Sequence, residues 1–297
     1  MAKKKVCIDA GHYGYYNPCP NNSAYYESKV MWKLHLLQKK YLEQLGIEVI
    51  TTREDQSKDL GLTARGQKAK GCDLFISDHS NAVGNSMNET VDHVVIYHQT
   101  NDKNTKVDDV SKDFASKIAK VITDVMGVKQ PYRLEARLSD SDRNGDGTKN
   151  DNYYAVLHGA RMVGVAGMII EHGFHTHSKT VEWLLNDNNL DKLARAEAEC
   201  IASYLLGKTV SLNKEEETKK EEPKKEVIYR VQCGAFSIKA YAEGRLNEVK
   251  KIVPDAFIVK QDGYYKVQCG AFSVKAYADA RLKEVKKYFS DAFITTK

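Results

Sequence analysis

No stretch of the 297 residues stays apolar for the roughly 20 residues that a membrane-spanning helix needs, so none is expected. No hydrophobic segment follows the basic start Met1–Lys5 either. Val6-Cys7-Ile8-Asp9-Ala10 runs directly into Gly11-His12, where a secretory leader would need an apolar core. The expectation is a protein made in the cytoplasm without a signal peptide. The six cysteines (Cys7, Cys19, Cys72, Cys200, Cys233 and Cys269) include no CxxC spacing. Most lie in apolar or strand-like runs, which fits free thiols packed as small hydrophobes in a reducing compartment rather than a disulfide framework.

The charge that is present is unevenly placed. The net +5 belongs to the C-terminal end: residues 227–297 carry 13 basic and 7 acidic side chains, whereas residues 1–207 carry 26 and 27. A small basic piece implies an anionic partner, a wall polymer or a nucleic acid. Between the two, residues 208–226 are rich in Lys and Glu and hold one proline and no apolar face, the composition of a linker.

Residues 1–207 alternate strand-like and helix-like patterns. Short apolar runs at 6–10, 47–50, 73–78, 94–97 and 168–171 read as strands. Helical periodicity marks 28–45, 110–126 and 190–206, each followed by a glycine stop. The order predicts an α/β domain, a mostly parallel sheet flanked by helices on both faces. Residues 227–297 contain a repeat. Tyr229–Ser237 returns as Tyr265–Ser273, the helical segment from Lys239 returns from Lys275, and Asp255–Ile258 returns as Asp291–Ile294. Each copy reads β-α-β, and one copy is too small to fold alone, so the pair predicts a single α+β domain of βαββαβ order.

Three residues of the first domain could ligate a metal. His12 follows the first strand, Glu27 opens the first helix and His79 closes a buried strand. In a parallel sheet the carboxyl ends of strands gather on one rim. Two imidazoles and a carboxylate with a fourth position open make a catalytic zinc set. Glu171 ends the strand 168–171, where a carboxylate could take a proton from water and return it to a leaving nitrogen. Spacing alone does not separate such a set from ordinary strand-end residues.

Taken together and in order, Asp9-Ala-Gly-His12, Glu27, Ser77-Asp-His79-Ser-Asn-Ala82 and Glu171-His-Gly-Phe174 resemble the motifs of type-3 N-acetylmuramoyl-L-alanine amidases, nearest to those of clostridia-like Gram-positive bacteria and their phages. The resemblance implies one Zn²⁺ per chain held by His12, Glu27 and His79, with Glu171 as acid/base. The bond cut would be the amide joining the lactyl group of N-acetylmuramic acid to L-alanine. Arg65 and Asn81 also match, and both read as structural. Asp78 departs from the pattern: relatives commonly carry an apolar residue there, and strand alternation points it away from His79 into a dry layer, where a carboxylate needs a partner or a proton. His172, His175 and His177 crowd the Glu171 motif, either as a second metal site or as solvated or hydrogen-bonded loop histidines.

The repeat Val-Gln-Cys-Gly-Ala-Phe resembles the SPOR domain, a module that binds peptidoglycan glycan strands stripped of stem peptides. Alternation would place Tyr229, Val231, Cys233 and Ala235 against the helices. Arg230, Gln232 and Phe236 would face outward, with Lys266, Gln268 and Phe272 beside them, so Gln232, Phe236, Gln268 and Phe272 are the candidate glycan contacts. RNA-binding RRM domains share the topology and a basic sheet, but their closely spaced aromatic pattern is missing, so no nucleic-acid partner is expected. Asp140, Asp142, Asn144, Gly145, Thr148 and Asp151 fit EF-hand positions for Ca²⁺, but position 12 is Asp rather than Glu and the flanks are weak as paired helices, so an Asp/Asn/Gly-rich surface turn is the plainer reading. The expected protein is a two-domain wall hydrolase. It would act on the wall after release through a holin as a phage or prophage endolysin, or on mother-cell lysis as an autolysin. Alternatives are a non-catalytic wall-binding protein and a zinc peptidase of the stem peptide.

Overall fold

The computed structural model describes residues 3–100, 105–143, 145–149, 151–212, 227–272 and 275–296. The chain forms two compact units, Met1–Asn213 and Lys214–Lys297. In chain order the first unit contains β1 (Lys5–Ala10), β2 (Pro18–Cys19), β3 (Asn22–Tyr26), α1 (Glu27–Gln44), β4 (Glu48–Thr51), α2 (Leu62–Gln67) and β5 (Leu74–Asn81). It continues with β6 (Val95–His98), α3 (Thr105–Met126), β7 (Arg133–Glu135), α4 (Ala155–Met162), β8 (Gly167–Phe174), α5 (Ser178–Leu185) and α6 (Asp187–Leu206).

Six strands make one sheet in the order β4-β1-β5-β8-β6-β7. Every pair in it is parallel except β6 with β8, which runs antiparallel. Burial on both faces explains the near-continuous apolar runs of β1, β5 and β8. Cys7, Phe75 and Ile169 point to one face and pack with Val156, Leu157 and Ala160 of α4. The next residues along each strand point to the other face, towards α1 and α6. There Val30, Leu34, Leu37 and Tyr41 of α1, and Leu190, Leu193, Ala194, Ala198 and Ile201 of α6, are buried. The α6 helix starts at Asn186, whose side chain accepts the backbone N–H of Asn188 and Asn189, and stops at Gly207 in the left-handed region. Beyond it Val210 and Leu212 donate their backbone N–H to Ser203 and Glu199. The start of the lysine- and glutamate-rich stretch is thus fastened to α6; residues 213–226 lie outside the described residues.

The second unit is β9 (Tyr229–Phe236), α7 (Lys239–Lys250), β10 (Phe257–Gln261), β11 (Tyr264–Phe272), α8 (Lys275–Val285) and β12 (Phe293–Thr295). Its strands form an antiparallel sheet in the order β10-β11-β9-β12. The two central strands are equivalent strands of the two repeats, so residues near the axis that relates them meet their own copies. Gln232 pairs with Gln268, and the sulfurs of Cys233 and Cys269 approach to 2.7 Å. All six cysteines are free. None of the described helices is long and apolar enough to cross a membrane.

Candidate active site

The rim formed by the carboxyl ends of β1 and β5 collects the predicted ligands. His12 lies two residues beyond β1 with a positive φ of 56°. Its ring stacks on Tyr16 at 4.9 Å between centroids and meets His79 edge-on at 5.0 Å. Gly11 allows this approach: its N–H donates to the Asp78 carbonyl at 2.8 Å, and a Cβ there would lie 2.5 Å from the His79 ring. Glu27 is the first residue of α1, and its N–H donates to the Asn17 carbonyl. The β2–β3 hairpin carries the chain between His12 and this helix start.

Glu27 is 1% exposed. Its Oε1 lies 2.8 Å from His79 Nδ1 and 3.4 Å from His12 Nε2, and accepts the Ser80 N–H at 3.1 Å. Asn17 Nδ2 donates to Glu27 Oε2 at 2.7 Å. One donor atom from each of His12, Glu27 and His79 lies within 4.8 Å of the others. Burial alone would raise the Glu27 carboxyl, but the two imidazoles outweigh it and hold it well below the usual carboxylate range. Burial likewise opposes charge on His79, yet Glu27 raises it to about 9. The pocket is therefore built to stabilise positive charge. The other His79 nitrogen lies 3.2 Å from Ser77 Oγ, which donates to Asp9 at 2.8 Å, so the ring is oriented from behind as ligating histidines are.

Glu171 is the register partner of His79 across β5 and β8, which puts both side chains on one face of the sheet. Its Oε2 is buried and has no hydrogen-bond partner among the described residues. Burial, only partly offset by His79, pushes its carboxyl up to about 7. A buried carboxyl with an unpaired oxygen beside His79 and Glu27 has the chemistry to accept a proton. The donor set suits zinc.

A family profile described as N-acetylmuramoyl-L-alanine amidase matches residues 6–203. The chain belongs to this family. A second profile, the SPOR domain, matches residues 225–296. Among solved structures, the first unit resembles the catalytic domain of CwlV from Bacillus (Paenibacillus) polymyxa var. colistinus. That match has 22% identity and a TM-score of 0.53, covering 68% of this chain and 98% of that one. An N-acetylmuramoyl-L-alanine amidase from Clostridium difficile 630 matches at 24% identity and TM-score 0.55, covering 70% and 100%. AmiC2 of Nostoc punctiforme matches at 20% and 0.51, covering 69% and 99%. No curated protein matches the chain. The activity is thus that of an N-acetylmuramoyl-L-alanine amidase acting on peptidoglycan, with a SPOR domain suited to binding the same polymer.

Within the amidase domain, Arg65 is buried against Asp59, Asp9 and the Leu60 carbonyl, a structural role. The Asn81 carbonyl accepts the His175 N–H. The three crowding histidines are buried rather than solvated, and they go separate ways. His172 meets Glu197, His175 meets Ser80, and His177 lies between Asp92 and Glu89. Asp78 is buried as expected and pushed up to about 7 by burial. In the loop considered for Ca²⁺, Asp142 accepts the N–H of Gly145, Asp146 and Gly147, and Asp151 accepts that of Arg143. These are the contacts of a self-closed turn; Asp140 is exposed, and Asn144 lies outside the described residues.

The outward face of the SPOR domain differs from the expectation. Gln232, Gln268 and Phe272 are buried, Phe236 is half-buried, and Ala235 is exposed. Two effects produce this. Gly234 and Gly270 have φ of +112° and +118°, with the Phe236 and Phe272 rings folded over them, which breaks strict alternation. The glutamines are also flanked across the sheet: Phe257 pairs with Gln268, and Gln232 pairs with Phe293. Directly opposed residues share a face, so the row reads Phe257, Gln268, Gln232, Phe293. Its outer rings are 41% and 45% exposed. These two phenylalanines, from the repeated Asp-Ala-Phe-Ile, were not among the residues expected on the outward face.

Proposed function

We propose that the amidase is zinc-dependent, with His12, Glu27 and His79 as ligands and Glu171 as the acid/base, and that it hydrolyses the lactyl–L-alanine amide. The observation that carries this reading is the convergence of the three donors beside the unused buried oxygen of Glu171. Zinc held there would polarise the scissile carbonyl and acidify a water. The chain's own residues do the rest. Asn17 and the Ser80 N–H hold Glu27 in place, and Ser77 with Asp9 fixes the His79 ring. Glu171, raised towards neutrality, takes the proton of the attacking water and returns it to the L-alanine nitrogen, which otherwise leaves poorly. The SPOR domain offers an aromatic row whose outer rings span three inter-strand spacings, roughly 14 Å, a length suited to successive sugars of a glycan strand.

The deciding measurement is release of amino-terminal L-alanine from purified Gram-positive sacculi. We expect release that a chelator abolishes, that zinc restores, and that Glu171→Ala lacks. New amino termini within the stem peptide would instead make the enzyme a peptidase. No release from folded, zinc-supplied protein would leave only a wall-binding molecule.

A further inference from the structure

Beneath the active site, on the α1/α6 face of the sheet, lies a polar cluster that the reaction does not use. Asp78 (β5), His172 (β8), Glu197 (α6) and Gln38 (α1) are all fully buried. His172 Nε2 lies 2.8 Å from Glu197 Oε1, and its Nδ1 lies 2.9 Å from the main-chain carbonyl of His79. Gln38 Nε2 donates to Glu197 Oε2 at 3.0 Å and to Asp78 Oδ1 at 3.3 Å. Three of these four elements also carry the site: α1 opens with Glu27, β5 carries His79 and β8 carries Glu171.

The position of His172 is informative. The β5–β8 register shifts just past His79–Glu171, where two steps along β5 match three along β8. Such a bulge loosens the ladder and re-aims side chains. At this point the His172 imidazole reaches across to the His79 carbonyl. Both ring nitrogens are engaged, so the ring donates through both, with the Glu197 carboxylate fixing its orientation.

We infer that Glu197 and His172 are positioning residues: the carboxylate holds the imidazole, the imidazole holds the His79 carbonyl, and His79 and Glu171 are thereby kept in register across the bulge. The inference rests on the zinc reading above. Loss of a supporting partner behind a metal ligand typically costs 10–100-fold in metal affinity or activity.

The test compares Glu197→Leu, which removes the acceptor, with Glu197→Gln, which keeps an oxygen for His172. Each is measured on the full chain for zinc affinity by chelator competition, for secondary structure by circular dichroism, and for kcat and KM on a soluble muramoyl-peptide. We expect Glu197→Leu to fold, to bind zinc at least about tenfold more weakly, and to lose about tenfold in kcat with KM unchanged. Glu197→Gln, which keeps the oxygen but gives up the charge, should lose clearly less than Glu197→Leu in both. If Glu197→Leu does not fold, the combined replacement Asp78→Val/His172→Leu/Glu197→Leu takes its place, since buried ionic groups replaced together by apolar ones often leave a fold as stable or more so. The same losses are expected of it. A folded Glu197→Leu or combined variant with wild-type zinc affinity and kcat overturns the inference. So does a second equivalent of zinc that disappears with Glu197, which would make the cluster a metal site. Wild-type protein that binds no zinc defeats the zinc reading itself, before any variant is compared.

Discussion

Glu171 is a carboxyl whose surroundings disfavour its charge. Burial raises it from 4.5 to about 7, and the nearby His79 recovers only part of that shift. As a proton acceptor it works ionised, so kcat/KM should rise with pH through about 7, and Glu171→Gln should remove most activity, by about 10²–10⁴-fold. The stability effect follows from the same shift. A group whose pKa is higher in the folded state contributes stability below its unfolded pKa, and that contribution is lost as pH rises through the folded one. Wild-type stability should therefore fall between about pH 4.5 and 7 on this account, with Asp78 adding to the slope. Glu171→Gln should show a smaller difference in Tm between pH 5 and pH 8. The four candidate site residues were legible because His12, Glu27, His79 and Glu171 stand at strand ends and a helix start and, in order, match the amidase motifs. Asp78 was legible as an anomaly, but its partner Gln38 and the neighbouring Glu197 were not. Helical spacing puts each on the apolar face, Gln38 four residues after Leu34 and Glu197 four after Leu193, but it does not say which polar groups they meet there.

At the scale of elements, the apolar strands and the long helices followed from apolar runs, period and glycine stops, while the polar strands and the short helices did not. The helices α2, α4 and α5 and the strands β2, β3 and β7 are each at most eight residues, too short for periodicity to declare itself. Two of the short helices matter to stability. The helices α2 and α4 cross at Gly66 and Gly159, where a Cβ would lie 2.0 Å from the Val156 carbonyl oxygen and 2.1 Å from the Thr63 carbonyl oxygen. A methyl group cannot fit against backbone there, so Gly66→Ala should force the helices apart. We expect a loss of about 1–3 kcal/mol, the usual range for overpacking, read as a lower denaturation midpoint with an unchanged m-value. The loop closed by Asp142 should behave as a turn, with Tm unchanged by millimolar calcium.

At the scale of the whole molecule, an electrically near-neutral amidase unit is joined to a basic SPOR unit whose row of Phe257, Gln268, Gln232 and Phe293 faces away from its helices. If that row reads glycan, the double replacement Phe257→Ala/Phe293→Ala should lower retention of the full chain on denuded glycan strands, as measured by co-sedimentation. Turnover of a soluble muramoyl-peptide should stay at the wild-type level. A selective loss of this kind separates wall tethering from catalysis within one chain.

The linear sequence by itself determined the two-unit plan, the sheet class and the internal duplication, which rest on local rules: periodicity, apolar runs and glycine stops. Its resemblance to the amidases, not those rules, picked out His12, Glu27, His79 and Glu171 as the candidate site. Only the tertiary structure decided that β6 runs against β8, that Gly234 and Gly270 re-phase the SPOR strands, and that Phe257 and Phe293 stand exposed at the two ends of the glutamine row. It alone joined Glu197 to His172 and the His79 carbonyl. The reason is physical: such features depend on which segments meet across tens of residues, and a buried carboxylate reads in sequence like a solvated one until its neighbours are in place.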